Sequence, residues 1–198
     1  MVINSVINAI SEKGYAIVPD FFSVEEVDTI LSFFNHALQE GHFRQAGIGK
    51  EQEKQVQTSI RGDRILWIEE DMTPFDTLFY PRVQEFMTAL NRTFYLGMNA
   101  HEFHLALYPE TTFYKKHRDA FKNTDARKIS MVMYLNKDWQ PGDGGELALY
   151  TEDETHIVKP LAGTLVIFES SLEHEVLTSN KPRYSLTGWL KRQDSLFP

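Results

Sequence analysis

His117 and Asp119 stand one residue apart in YKKHRDAFKN, residues 114–123. In an extended chain, side chains two positions apart project from one face. The imidazole and the carboxylate would then point together, with Arg118 pointing away. Two such groups offer two ligands to a metal ion, and a third must come from elsewhere. Of the seven histidines, His174 is the candidate. It follows the apolar stretch TLVIF and the turn ESSLE, where a side chain emerges at the mouth of a β structure. Taken alone, His174 reads equally as a buried, hydrogen-bonded histidine. His36 and His42 belong to a helix and its end, and His101, His104 and His156 read as ordinary strand or turn residues. Two imidazoles and one carboxylate on one face of an iron ion leave three coordination positions open, enough for a bidentate 2-oxo acid and dioxygen. Arg183 opens the apolar stretch YSLTGWL, and a short hairpin through SNKP would place it on the strand next to that of His174. Its planar fork suits the far carboxylate of a dicarboxylate co-substrate. The rival reading of YKKHRDAFKN is a solvated charge run, which Lys115, Lys116 and Lys122 fit.

Those residues need a frame, and the chain changes character to supply one. The first part reads helical. VINAISEK is a short amphipathic stretch. FFSVEEVDTILSFFNHALQEG starts at Ser23, with Glu26 three residues on as a capping box, and carries Val24, Val27, Ile30, Leu31, Phe34 and Leu38 at helical spacing. PRVQEFMTALNRTFY repeats the pattern with Pro81 in its first turn. Between these helices, residues 42–60 are polar and rich in Gly and Gln and read as a long loop of the kind that forms lids, while IRGDRILWI reads as a strand. From His101 on the pattern is β: EFHLALYP, KISMVMYLN, GELALY, THIVKP, TLVIFES, HEVLTS and YSLTGWLKR, separated by turn clusters. The expected architecture is mainly β with N-terminal helices, an antiparallel sandwich or barrel buttressed by α-helices.

Bulk properties narrow the function. The chain has 198 residues, 42% hydrophobic and 13% aromatic, enough for a sizeable core and one domain. A formal charge of −8 disfavours nucleic acid as a partner. No cysteine is present, which excludes disulfides, iron–sulfur clusters and thiol nucleophiles. The N-terminal residues carry no secretion signal, and no segment approaches the ~20 apolar residues of a membrane helix. The expectation is a cytoplasmic protein without membrane or nucleic-acid partners. The tripeptide Arg61-Gly62-Asp63 is read as a chance occurrence rather than an adhesion motif.

At IRGDRILWIE, LYPETTFYKKHRD, ISMVMYLNKDW, GDGGELALY, HEV and PRYSLTGW the sequence resembles the Fe(II)/2-oxoglutarate-dependent dioxygenases, and within them the prolyl 4-hydroxylase branch. That branch includes the animal hypoxia-inducible-factor prolyl hydroxylases and their bacterial relatives. The likeness spans about residues 60–190. It implies a double-stranded β-helix (jelly roll) core at 101–192, helical support within 1–100, and a lid around 42–60 that closes over a target peptide. His117, Asp119 and His174 would ligate Fe(II). Arg183 and Tyr134 would hold the distal carboxylate of 2-oxoglutarate, Tyr108 would lie near its other end, and Thr187 and Trp189 would line its pocket. Tyr114, Arg127 and Trp189 would face the substrate, a proline-containing protein or peptide, with dioxygen consumed and ascorbate as reductant. Two departures stand out. Arg118 occupies a position where a neutral residue is more familiar. The turn LYPETTFYKKH is short, and strict alternation from His117 would turn Tyr114 to the wrong face, so the strand is expected to begin near Lys116. Asp63 and Arg127, flanking the expected groove, are expected to pair.

Two other readings stay open on the residues alone. One is a hydroxylase of a free amino acid or small molecule. The other, from a different class, is a non-catalytic cupin-like domain that binds a metal or ligand, since His/Asp/His also suits zinc.

Overall fold

The computed structural model describes residues 2–47, 60–120 and 126–193. The lid expected around 42–60 falls mostly outside them, as does Lys122.

The helices form where apolar residues recur at helical spacing. Helix α1 (Val2–Lys13) buries Val6 and Ile10. Strand β1 (Tyr15–Val18) follows. Helix α2 (Val24–Gln39) carries the expected capping box: the Ser23 hydroxyl accepts from the Glu26 N–H, and the Ser23 N–H donates to the Glu26 carboxylate at 2.8 Å. Strands β2 (Arg44–Gln45) and β3 (Arg64–Ile68) and the short helix α3 (Phe75–Leu78) lead into α4 (Tyr80–Phe94), with Pro81 in its first turn. The β region comprises β4 (Ala100–Tyr108), β5 (Tyr114–His117), β6 (Arg127–Tyr134), β7 (Leu147–Tyr150), β8 (Thr155–Val158), β9 (Leu165–Glu169), β10 (Glu173–Val176) and β11 (Arg183–Lys191).

The strands make two antiparallel sheets. The larger has the order β1-β9-β6-β11-β4-β3-β2 and the smaller β5-β10-β7-β8. The larger sheet is covered on both faces, which is why MVMY and LVIF read as unbroken apolar runs. One face turns Phe103, Leu105, Met131, Met133, Ile167 and Leu186 onto Ile30 and Phe34 of α2 and Val83 and Leu90 of α4. The other turns Ala106, Tyr108, Val132, Tyr134, Val166 and Phe168 toward Leu147, Leu149 and Val176 of the smaller sheet. The helices therefore seal the back of the larger sheet and leave its front to face the smaller one. Among the described residues no helix is long and apolar enough to cross a membrane.

The sequence reading missed three elements and misread one connection. Arg44–Gln45, read as part of a loop, form β2 against β3. YAIV is too short to announce a strand, yet it pairs in register with Leu165–Phe168 at the sheet edge. FDTL, which forms α3, gave no periodic signal. The hairpin expected through SNKP does not form: β10 lies in the smaller sheet and β11 in the larger, so His174 and Arg183 belong to opposite layers.

Candidate metal and ligand site

The smaller sheet brings the two histidines together. His117, at the end of β5, is directly opposite His174 on β10, with ring centroids 4.3 Å apart. Asp119 is not on the same strand as His117, contrary to expectation. It sits in a bend just beyond β5, anchored where the Ala120 N–H donates to the Ser170 carbonyl. One ligand atom from each of His117, Asp119 and His174 lies within 4.8 Å of the others. His117 Nε2 is 3.6 Å and His174 Nε2 3.4 Å from the two carboxylate oxygens of Asp119.

Both imidazoles are oriented in the same way. His117 Nδ1 is 2.7 Å from the Lys115 carbonyl, and His174 Nδ1 is 2.9 Å from the Leu172 carbonyl. A carbonyl only accepts, so Nδ1 carries the proton and Nε2 keeps its lone pair for a cation. Asp119 Oδ2 accepts a hydrogen bond from the Ser130 hydroxyl, itself 2.9 Å from that of Ser170. Burial pushes the Asp119 carboxyl up, but His174, His117 and Ser130 outweigh it and hold the group well below the usual carboxylate range. Burial lowers the pKa of His174 against the pull of Asp119. A carboxylate and a neutral imidazole are the forms that bind a divalent metal, and the donor set fits Fe(II).

The triad opens onto a cavity of about 640 Å³ between the sheets. Strand β11 lays Arg183, Thr187 and Trp189 along this cavity. Arg183 is in register with Tyr108, Ser185 with Tyr134, Thr187 with His104 and Val132, and Trp189 with Glu102 and Ser130. Arg183 is 3% exposed. Its Nε donates to the Gly145 carbonyl at 2.8 Å and its guanidinium lies 4.9 Å and 5.1 Å from the Tyr108 and Tyr134 ring centres. No carboxylate of the described residues is within ion-pair distance of it. The Tyr134 hydroxyl is buried without a hydrogen-bond partner. Burial, offset in part by Arg183, raises its pKa to about 12, so it remains a donor. A buried cation without an anion beside an unused hydroxyl is costly unless a ligand satisfies both, and a dicarboxylate does so. The GGEL motif belongs to this end. Gly144 and Gly145 have φ of +71° and +73°, and a Cβ on Gly145 would lie 2.9 Å from Arg183 Cδ.

Beyond the triad the cavity wall is aromatic. Tyr114 stacks on His117 at 3.6 Å and 18°. It does so because β5 begins at Tyr114 rather than near Lys116. His174 faces His117 while Val176 faces Tyr114, so one extra residue on β5 forms a bulge that turns Tyr114 to the His117 side. Arg127 lies 3.4 Å over Trp189. The expected Asp63–Arg127 pair is absent. Asp63 is fully buried against Arg61, two hydrogen bonds at 2.7 and 2.5 Å, and Arg127 bonds Glu102 at 2.7 Å. Burial of Asp63 also removes the Arg-Gly-Asp tripeptide from any exposed loop. Of the expected ligand-side and substrate-side residues, Tyr108, Tyr114, Arg127, Arg183, Thr187 and Trp189 line the cavity, while Tyr134 is fully buried beside Arg183. Three others were missed. Arg61 lies over the Tyr114 ring, and Trp67 and Trp189 flank His104 at 4.9 and 5.5 Å. The alternation of β3 and β4 could have placed Trp67 and His104 inward. His104 Nδ1 has no partner, and burial, then Arg61, lowers its pKa to about 3. Arg118 lies just past the end of β5, so strand alternation does not govern it; its side chain is largely exposed and lines the cavity mouth.

Comparison with known proteins agrees with this geometry. Residues 103–191 match the model of the 2OG-Fe(II) oxygenase superfamily. A crystal structure of a Pseudomonas putida prolyl-4-hydroxylase superposes with a TM-score of 0.87 at 33% identity, covering 96% of this chain and 99% of that one. A Trichoplax adhaerens prolyl hydroxylase, in complex with a hypoxia inducible factor oxygen degradation domain peptide fragment, gives 0.87 at 26% identity, over 96% of this chain and 89% of that one. Prolyl hydroxylase EGLN3 of Mus musculus is 26% identical over 206 residues, which is 93% of this chain and 81% of the relative.

Proposed function

Because the chain belongs to the 2OG-Fe(II) oxygenase superfamily, as a dioxygenase of the prolyl hydroxylase type, we propose that it hydroxylates a prolyl residue of a protein substrate. In this reading residues 1–198 form one dioxygenase domain with a double-stranded β-helix core at 101–192 and a lid around 42–60, working in the cytoplasm with ascorbate as reductant. The two facing antiparallel sheets support the core assignment. Fe(II), when bound, supplies the activation of dioxygen, coupling decarboxylation of 2-oxoglutarate to succinate and CO2 with insertion of one oxygen atom into a C–H bond.

The chain's own residues bind, orient and exclude water. His117, Asp119 and His174 hold the metal with Nε2 lone pairs and a carboxylate kept ionised. Arg183 and the Tyr134 hydroxyl receive the distal carboxylate of 2-oxoglutarate. Tyr108 borders its other end, and Thr187 and Trp189 line the pocket. Tyr114, Arg127 and Trp189 form the wall against which a prolyl ring packs. The observation that carries the reading is Arg183, a buried guanidinium without a carboxylate partner among the described residues, on the same cavity as the triad. A metal site alone needs no such group. The peptide part is supported by the Trichoplax relative, whose structure holds a peptide fragment. Purified protein with Fe(II), 2-oxoglutarate and ascorbate is expected to form succinate. Full turnover by His174→Ala would overturn the triad. Oxygen added to a free amino acid but to no protein of a deletion-strain lysate would overturn the peptide substrate.

A further inference from the structure

The chain as a whole is acidic, with 28 Asp and Glu against 20 Lys and Arg, yet the described residues at the cavity mouth carry the opposite sign. Arg118 lines it with its side chain 61% exposed. Among the described residues its one ion pair is a 3.7 Å contact with Glu173, and Glu173 is already taken at 3.0 Å by Lys116. One carboxylate thus faces two cations. Arg44 lines the opposite lip from exposed strand β2, and among the described residues its guanidinium donates only to the backbone carbonyls of Gly41 and Phe43. Arg61, deeper in, is neutralised by Asp63 and adds nothing. Arg183 is buried at the inner end of the cavity, so among the described residues the exposed excess positive charge sits on Arg44 and Arg118, on two elements flanking one opening. A solvated surface run would not place one guanidinium on each lip of the cavity that holds the triad.

We propose that Arg44 and Arg118 select a peptide segment carrying Asp or Glu beside the target residue. The inference rests on the peptide-substrate reading and adds the chemistry of the flanks. Arg is suited to this task because its fork takes a carboxylate through two hydrogen bonds, and like-signed flanks are repelled. Capture of acidic segments is steered at long range and weakens as salt shortens the Debye length to about 8 Å or less.

The full-length protein, loaded with Mn(II) and 2-oxoglutarate so that no turnover occurs, is presented with synthetic peptides bearing a central proline and randomised flanks. The retained fraction is expected to be enriched in Asp and Glu roughly tenfold or more over the input, and less so as salt rises. The double variant Arg44→Gln/Arg118→Gln loses that enrichment, and Arg118→Glu inverts the preference toward Lys and Arg. A structural role for Arg118 would not invert it. Retained peptides with input composition, no retained peptides, or Arg118→Glu with the wild-type preference would each overturn the inference. A parallel reaction with Fe(II) and dioxygen keeps the two claims apart. Acidic peptides that bind without gaining oxygen would sink the prolyl hydroxylase reading and leave the charge selection standing.

Discussion

Replacing Arg183 by glutamine keeps part of the buried stem and removes the charge. In the structure this guanidinium is 3% exposed and, among the described residues, has only the Gly145 carbonyl and the Ser185 hydroxyl as hydrogen-bond acceptors. If it receives the distal carboxylate of 2-oxoglutarate, the variant loses a buried, charge-assisted pair, about 2–5 kcal/mol. At 1.4 kcal/mol per tenfold, the co-substrate should bind roughly 30- to 4,000-fold more weakly. The effect is readable without turnover, as ligand-dependent stabilisation of the Mn(II)-loaded protein. At a concentration of 100 times the wild-type Kd, 2-oxoglutarate stabilises the native protein by about 2.7 kcal/mol. For a variant 30-fold weaker, the same concentration gives roughly 0.9 kcal/mol or less. Mn(II) affinity should be unchanged, because the triad lies on β5, β10 and the bend after β5. Thermal unfolding with and without 2-oxoglutarate provides the assay. Arg183→Gln showing the full wild-type stabilisation would refute the assignment.

Other expectations follow from the same geometry. Gly145→Ala forces a left-handed φ on a side chain whose Cβ would meet Ser179 Oγ at 2.8 Å and Arg183 Cδ at 2.9 Å. By calorimetric titration it should weaken 2-oxoglutarate about tenfold or more, and unchanged affinity would contradict the link between GGEL and Arg183. His104→Leu removes a buried, unpartnered ring nitrogen. It should raise stability by about 1 kcal/mol, a gain of roughly 2–4 °C in Tm, and a fall in Tm would show that the ring has a protein partner. Burial raises the Glu102 carboxyl, but Lys191 and Arg127 outweigh it and lower its pKa below the ordinary 4.5. Its stabilisation is therefore present above that value and lost as pH falls through the lowered folded pKa. The stability lost in Glu102→Gln, measured by urea unfolding, should be present at neutral pH and vanish in acid. A loss independent of pH would exclude the ion pairs as its source.

Local signals were legible in proportion to how local their physics is. The capping box at Ser23 and Glu26, the helices α2 and α4, and the β character of EFHLALYP and YSLTGWLKR all depend on neighbours a few residues apart, and each of these elements forms. The cluster of His117, Asp119 and His174 was legible because His-x-Asp and a later histidine are chemically distinctive. Pairing between distant segments was not. Whether SNKP joins neighbouring strands or carries the chain across to the other sheet is decided by which edge each strand meets, and HEVLTS and YSLTGWL read alike in either case. The Asp63–Arg127 expectation failed for a related reason. Arg61, two residues from Asp63, takes both carboxylate oxygens, while Arg127 finds Glu102 across Trp189. Tyr114 was recovered by a bulge that no alternation pattern signals, because the extra residue is defined only against β10.

The most direct test of the central claim combines isotope and mass. Purified protein, Fe(II), 2-oxoglutarate and heavy-isotope dioxygen are incubated with a lysate from a deletion strain, and proteins and succinate are analysed together. The account predicts one labelled oxygen atom on a prolyl residue of a protein and one in succinate for each 2-oxoglutarate consumed, with both lost in His174→Ala. Label in succinate with none on any prolyl residue, or label on both with His174→Ala, would contradict it.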